Sequence, residues 1–266
     1  MNYYNAWLQW GFFLLVFLVL AIWESNRPRR TLAQVKILRW LNHFSLFAIN
    51  MTLSHFIIPF FAISSALWAR EHNFGILVTL NINPYIAVIV TVLALDLALY
   101  LFHVLMHRLP VLWRVHQVHH SDTDLDTSTA LRFHPIEFLL MLWVRIGAVT
   151  LLGAPVLGVV VYELLFSGML IFNHCNIKLH PLRERQLRWL IVTPDVHRIH
   201  HSLNEKEHNS NLGFVFSFWD RSLGTHIIDP LLGHPAMRLG LSFARRSREQ
   251  WLDRLICLPF RRNIDK

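Results

Sequence analysis

The sequence predicts an all-α integral membrane protein: a helical bundle with a cytoplasmic helical cap that carries clusters of histidine. Three observations support this fold class. Hydrophobic residues make up 54% of the 266 residues, which is more than a soluble domain usually contains. Several apolar stretches are long enough to cross a bilayer as helices. The 17 histidines are mostly outside these stretches and are crowded into a few short segments.

The first half of the chain predicts three membrane spans. Trp7 to Trp23 carries no charge, and it lacks the basic leader and small-residue cleavage site of a signal peptide, so we expect a retained helix. Phe44 to Trp68, interrupted only by His55 and Pro59, predicts the second span. Tyr85 to Met106 predicts the third.

A later apolar block, Phe138 to Phe172, predicts a helical hairpin. It is broken by Gly-Ala-Pro at positions 153–155, so two helices joined by a tight turn are expected instead of one long helix. The sequence shows no internal repeat and no flexible linker. The chain is therefore expected to form one bundle with a cytoplasmic cap. Along it we expect N-terminal transmembrane helices at 1–84, a histidine-bearing domain at 85–225 and a C-terminal cytoplasmic tail at 226–266.

Basic residues predict the orientation, because they are retained on the cytoplasmic side. The segment between the second and third spans has only Arg70, which is balanced by Glu71. Basic residues instead follow the first span, the third span and the hairpin: Arg27, Arg29, Arg30, Lys36 and Arg39; Arg108, Arg114 and Arg132; Lys178, Arg183, Arg185, Arg188 and Arg198. All the dense histidine clusters are then cytoplasmic. The net charge of +8 fits this topology, and since no nucleic-acid recognition motif is present, we expect no nucleic-acid partner.

Three dense histidine clusters predict a metal site. They are His103-x-x-x-His107, His116-x-x-His119-His120 and His197-x-x-His200-His201, and His174 at the end of the hairpin is a further candidate. Residues three and four apart share one face of a helix, so each cluster can point at a common centre. Imidazole suits iron, zinc, copper and nickel, and this many ligands exceeds the coordination number of one ion. Two metal ions are therefore expected. Cys175 and Cys257 form no thiolate metal motif.

The remaining histidines give weaker signals. We expect isolated ones to be interfacial or hydrogen-bonded: His43, His55, His72, His226 and His234. His134 and His180 each precede a proline, and they are interpreted as ligands, as hydrogen-bond donors to ligands or as helix caps. Asp96 and Tyr100 lie on the helix face of the first cluster, where Asp96 either orients a ligand or makes a helix–helix hydrogen bond. Asp195 either orients a ligand or caps its helix.

At these clusters the sequence resembles the fatty acid hydroxylase and sterol desaturase superfamily of membrane enzymes, whose three histidine motifs have this order and spacing. The likeness extends over roughly residues 99–225 and looks closest to the branch that includes alkylglycerol monooxygenase. It includes further short matches: Ser128-Thr129-Ala130-Leu131-Arg132, His134-Pro135, Asn211-Leu212-Gly213, Trp219-Asp220-Arg221 and Gly224-Thr225.

The resemblance implies a di-iron centre of two Fe ions with O2 as co-substrate. It also implies which residues bind the metal and form the catalytic site: His103, His107, His116, His119, His120, His174, His197, His200 and His201. The expected reaction is hydroxylation or desaturation of a lipid C–H bond, with the lipid taken from the bilayer. Since no nucleotide fingerprint or b-type haem domain is apparent, we expect electrons from a separate donor protein.

Two alternatives from other classes remain open. A membrane zinc hydrolase would also use histidine ligands, but the chain lacks His-Glu-x-x-His and has more candidate ligands than such a site needs. A metal transporter would have its ligands along a path through the bilayer and not gathered at one face.

Overall fold

The computed structural model describes residues 3–57 and 61–261, with side chains from residue 8 onward. Over these ranges the chain is helical, with three isolated β-bridges and no β-strand. The helices are α1 Tyr3–Asn26, α2 Lys36–Ile57, α3 Ala62–Glu71, α4 Ile76–Thr79, α5 Pro84–Arg108, α6 Pro110–His120, α7 Pro135–Leu152, α8 Val156–His174, α9 Pro181–Leu187, α10 Pro194–His200, α11 Glu205–His208, α12 Phe218–Leu223, α13 Gly233–Ala236 and α14 Leu252–Cys257. Three 3-10 helices occupy Thr127–Leu131, Ser247–Gln250 and Leu258–Phe260.

Five segments are long and apolar enough to cross a membrane: Leu8–Asn26, Lys36–Thr79, Pro84–Arg108, Pro135–Leu152 and Val156–His174. They coincide with the predicted spans and hairpin, so the all-α membrane bundle is confirmed. The predicted second span falls on α2 and α3, and its residues 58–60, which include Pro59, are outside the described residues.

The ends of the helices follow from local chemistry. The Asn83 side chain accepts a hydrogen bond from the Tyr85 amide, and Pro84 occupies the first turn of α5, where its missing N–H costs nothing. α7 ends at Gly153, whose φ of +65° is the left-handed conformation that glycine adopts most readily. A Cβ on Gly153 would lie 2.6 Å from the Phe74 carbonyl oxygen, so the α7–α8 turn also packs tightly against the preceding loop. The predicted hairpin break is confirmed.

The bundle core lies between α3, α5, α7 and α8. Leu95, Leu99, Val149, Val159 and Tyr162 are at most 1% exposed there. Large apolar side chains cover the outside of the same helices and of α1: Leu15, Leu18, Ile22, Ile89, Leu151 and Leu157. Because lipid replaces water around a membrane span, this exposure is expected for a protein embedded in a bilayer.

We refer to α6 and the segments after α8 as the cap. α6 follows α5 after one linking residue, Leu109. The segment after residue 226 packs back onto it, since Leu255 and Leu258 share a small core with Val118 of α6 and with Leu46 of α2. Gln250 accepts a hydrogen bond from Arg132. The C-terminal residues therefore support the segment that carries the second histidine cluster.

Candidate metal centre

Four helices bring the predicted histidines together. His103 and His107 lie on the last turns of α5, and the second cluster ends α6. His174 is the last residue of α8. The third cluster lies on α10 and the residue after it, and the Thr193 hydroxyl caps that helix by accepting a hydrogen bond from the Val196 amide.

The nine histidines form two groups whose ring nitrogens lie within 4.8 Å of one another in each group. The first group is His103, His107, His116, His120 and His200; the second is His119, His174, His197 and His201. The second and third sequence clusters are each divided between the groups. Consequently α6 and α10 contribute ligand candidates to both groups, and the two groups are built as one interleaved unit.

Most of these rings are fixed in orientation by a hydrogen bond at Nδ1. The Nδ1 atoms of His103, His119, His174 and His200 lie 2.7–3.2 Å from the carbonyl oxygens of Leu212, Arg132, Leu170 and Ser210. His116 Nδ1 lies 2.6 Å from Glu137 Oε1. Since a backbone carbonyl oxygen carries no hydrogen, the Nδ1 atoms of His103, His119, His174 and His200 donate, and a Glu137 carboxylate would hold His116 in the same tautomer. The neutral ring then has an unprotonated Nε2 whose lone pair faces inward.

The inward-facing nitrogens suit a bound cation. His119 Nε2 lies 3.0 Å from His174 Nε2, and both rings donate through Nδ1 to a backbone carbonyl. Two lone pairs at that distance cannot hydrogen-bond to each other, and protonating one would place an imidazolium in a fully buried site. His200 Nε2 is buried without a hydrogen-bond partner in the described residues. The donor set of each group therefore fits a metal ion that accepts imidazole nitrogen.

Burial keeps the cap histidines in the form that binds metal. It lowers the pKa values of His116, His120 and His200 well below the ordinary range, and neighbouring imidazoles lower them further. The same causes lower the pKa values of His197 and His201. The rings are neutral at pH 7, which is the state required of a histidine ligand.

Glu137 is a site residue that the sequence analysis missed. Its side chain, in the first turn of α7, is fully buried, and its Oε1 accepts the hydrogen bond from His116 Nδ1. Its position has no spacing relation to the clusters, so no sequence pattern connected it to His116. A carboxylate in this place fixes the tautomer and orientation of the ring.

Aromatic rings close the site on two sides. Phe133 stacks on His119 with centroids 4.6 Å apart, and Phe214 lies against His103 at 4.9 Å. Towards the cap surface, Trp113 lies 5.1 Å from His107 and stacks on His208 at 5.4 Å. His208 was also missed, because it is an isolated histidine in the sequence. Its ring lies outside both groups.

Asp96, the acid on the helix face of the first cluster, hydrogen-bonds to another helix and to a loop. Asp96 accepts hydrogen bonds from the amides of Val215 and Phe216 and from Trp219 Nε1 of α12. Of its two interpretations the helix–helix hydrogen bond is therefore confirmed, and the one in which it orients an imidazole was wrong. Asp96 anchors the loop whose Leu212 carbonyl binds His103. Asp220 anchors the same loop through the Leu212 and Gly213 amides, and burial raises its pKa to about 6.

Asp195 neither orients a ligand nor caps its helix, so both interpretations were wrong. Its carboxylate pairs with Arg29 and Arg198 instead. Tyr100 also points away from the imidazoles, since its hydroxyl lies 2.7 Å from that of Thr225.

The uncertain histidines are helix caps. His134 Nδ1 accepts from the Ile136 amide at the start of α7, and His180 Nδ1 accepts from the Leu182 amide at the start of α9. Of the isolated histidines, His43 is hydrogen-bonded to Ser128 and Arg132, as expected. The others also lie outside the groups: His72 contacts a backbone carbonyl, His226 contacts Asn211, His234 lies near Asp195, and His55 packs beside Phe56.

The family model for fatty acid hydroxylases matches residues 88–225, which is about half of the chain and includes all nine histidines. The chain belongs to the fatty acid hydroxylase family. The expected superfamily is therefore confirmed.

Curated relatives of this family member act on different lipids. It is 36% identical over 135 residues to the ornithine lipid hydroxylase OlsE of Rhizobium tropici, covering 49% of this chain and 38% of the relative. It is 31% identical over 138 residues to alkylglycerol monooxygenase of Xenopus tropicalis, covering 52% and 30%. It is 32% identical over 142 residues to very-long-chain aldehyde decarbonylase GL1-9 of Oryza sativa, covering 52% and 54%. The matched residues thus span 30% to 54% of the length of these relatives, and no solved structure matches the chain.

Proposed function

We propose that the protein is a membrane-bound di-iron oxygenase that hydroxylates or desaturates a C–H bond of a lipid, with O2 as co-substrate and electrons from a separate donor protein. The observation that carries the proposal is the pair of interleaved histidine groups. Five and four inward-facing imidazoles are more than one ion accepts, and their donor set suits iron.

His103, His107, His116, His120 and His200 would hold one iron, and His119, His174, His197 and His201 the other. When bound, iron supplies the redox chemistry by which O2 attacks an unactivated C–H bond; in hydroxylation one oxygen atom enters the substrate and the other leaves as water, with two electrons and two protons from the donor.

Other residues of this chain fix the orientation of the imidazoles and cover them. The carbonyls of Leu212 and Ser210 and the Glu137 carboxylate fix ring orientation through Nδ1, so the Nε2 atoms need not reorganise when metal binds. Phe133 and Phe214, two residues of the bundle core, cover the imidazoles of His119 and His103. A site closed by aromatic rings excludes water and protects a reactive oxidant from side reactions.

A lipid substrate is supported by the cavity beside the site. A space of about 450 Å³ lies among α1, α2, α3, α7 and α8, with mostly apolar walls that include Leu131, Phe133 and Leu170. Phe133 touches His119, and the Leu170 carbonyl binds His174, so the cavity ends one side chain away from the second group. The curated relatives are named for lipids of several kinds, which agrees with a chain-shaped substrate.

The histidine groups are proposed to face the cytoplasm, on the basis of the basic residues that flank α1, α5 and α8. The donor protein would approach the cap there. His107 is the one member of the first group that is not fully buried, and the half-buried Trp113 and His208 pack beside it.

Metal analysis of anaerobically purified protein, combined with oxygen consumption in the presence of a reductant, tests the proposal. We expect about two irons per chain, loss of iron in His197→Ala and no loss in His180→Ala, since His180 only caps α9. A zinc content without oxygen consumption would favour a hydrolase. Release of bound metal across a sealed membrane would favour a transporter. One ion per chain that persists in His197→Ala would refute the two-metal site.

A further inference from the structure

The cavity contains a partly buried ion pair that the metal site does not use. Arg145 Nη1 lies 2.8 Å from Glu163 Oε2, which joins α7 to α8 inside the membrane-spanning region. Both residues line the cavity. Charged residues within a span are costly, and those that face a cavity commonly bind a substrate or ion.

The polar lining has free hydrogen-bonding capacity. Arg145 Nε and Asn50 Oδ1 are buried, and neither has a hydrogen-bond partner in the described residues. Both residues line the same apolar cavity. Asn50 is held in place, because its Nδ2 donates to the Phe133 carbonyl. An unused donor and an unused acceptor with apolar surroundings are each costly unless a ligand satisfies them.

The distance between the Arg145–Glu163 pair and the metal site can be read along α8. Glu163 and His174 lie about three turns apart on α8, which corresponds to roughly 16 Å along the helix axis. The guanidinium of Arg145 also lies over the Phe166 ring, at 5.2 Å from the ring centroid, one turn closer to His174. The polar pair is therefore well separated from the histidines, and apolar walls lie between them.

We propose that the cavity holds one extended lipid chain and that Arg145, paired with Glu163, binds a neutral oxygen group of that lipid, a hydroxyl or an ester or amide carbonyl. The group is neutral because Glu163 already balances the charge of Arg145, so a carboxylate would meet repulsion from Glu163. Arg145 Nε donates to the lipid oxygen. The carbon that reacts then lies roughly 16 Å away, the length of about a dozen methylenes.

This inference rests on the proposed function, because a lipid carbon reacts only if the protein is an oxygenase. Binding of the lipid can nevertheless be measured without turnover. Purified protein is placed in phosphatidylcholine nanodiscs with a photoreactive probe that carries a mid-chain diazirine. Three probes of equal chain length are compared at the same mole fraction: hexadecanol, hexadecane and palmitate. The readout is cross-linking to the cavity-lining peptide that contains Met141.

We expect the hexadecanol probe to reach half-maximal cross-linking at roughly tenfold lower mole fraction than hexadecane, since a hydrogen bond from a charged donor discriminates by about this factor. Palmitate should bind no better than hexadecanol. In Arg145→Gln the alcohol preference should disappear while hexadecane is unaffected. The control Arg248→Gln, which breaks an exposed ion pair with Asp253 on the cap, should leave all three probes unchanged.

A purely structural role of the pair would lower cross-linking of hexadecane and hexadecanol equally. That result, or equal binding of the two probes to the wild type, would overturn the inference. If Arg145→Gln fails to insert, Arg145→Lys keeps the charge but lacks Nε, and full alcohol preference in that variant would also overturn it. Iron content and oxygen consumption are measured on the same samples. In the wild type, absence of an alcohol preference with two irons present refutes only the lipid contact, whereas absence of iron with the preference intact refutes only the proposed function.

Discussion

The Glu137→Gln substitution isolates the contribution of one carboxylate to the histidine groups. Glu137 is fully buried, and its Oε1 lies 2.6 Å from His116 Nδ1. Glutamine has nearly the same shape, so packing is preserved. Two outcomes are available to the amide. Its oxygen can accept from Nδ1 without the charge, or its NH2 group can face Nδ1, which would move the ring proton to Nε2 and block metal binding.

The size of the effect follows from the bond that is changed. Hydrogen bonds to charged groups contribute about 1.5–3 kcal/mol, and loss of an outer partner of a metal-binding histidine typically costs about 10- to 100-fold in metal affinity or activity. His116 lies at the centre of the first group, with Nε2 contacts to three of its four other members. We therefore expect a 10- to 100-fold faster loss of iron from the first group and a similar fall in turnover.

Iron retention during dialysis against a chelator measures this effect, with thermal unfolding recorded in parallel. Glu24→Gln is a matched control, since Glu24 is a buried carboxylate that accepts hydrogen bonds from Thr127 and Asn176 and contacts no imidazole. It should lower the thermal stability but retain both irons. If Glu137→Gln keeps iron as long as the wild type, the carboxylate does not determine the ring tautomer and the reasoning fails.

Three further outcomes are expected. His120→Ala and His200→Ala should each abolish oxygen-dependent turnover while membrane insertion, followed by protease protection, remains intact; turnover near the wild-type level would show that the residue is misassigned. In a cysteine-free background, single cysteines at Glu184 and Ser210 should be labelled from the cytoplasmic side and one at Asn73 from the other side, and external labelling of Ser210 would contradict the topology. Metal-free protein should lose stability as the pH falls below about 6.5, because burial lowers the folded-state pKa values of the cap histidines and only the unfolded chain takes up protons there; denaturant midpoints that stay constant between pH 7 and 5 would contradict this.

The helices and the identities of the nine clustered histidines could be predicted from the sequence because both depend on short stretches of neighbouring residues. An uncharged stretch of about twenty residues is enough to predict a span, and Gly-Ala-Pro at 153–155 is enough to predict a turn. Spacing of three and four places imidazoles on one face of a helix whatever surrounds it. The sequence left the roles of His134 and His180 open, although the following prolines, which favour the first turn of a helix, agree with the caps observed.

Only the tertiary structure decided how the histidines are divided into five and four. Spacing shows that His116, His119 and His120 lie near one face, but whether His119 points to a different centre from its neighbours depends on where α8 and α10 pack against α6. The partners of Nδ1 were equally hidden, because a backbone carbonyl such as that of Leu212 has no sequence signature. Glu137 and Arg145 lie on α7, far along the chain from their partners. Their roles exist only because helix packing brings Glu137 to His116 and Arg145 to Glu163, and no local pattern specifies such a contact.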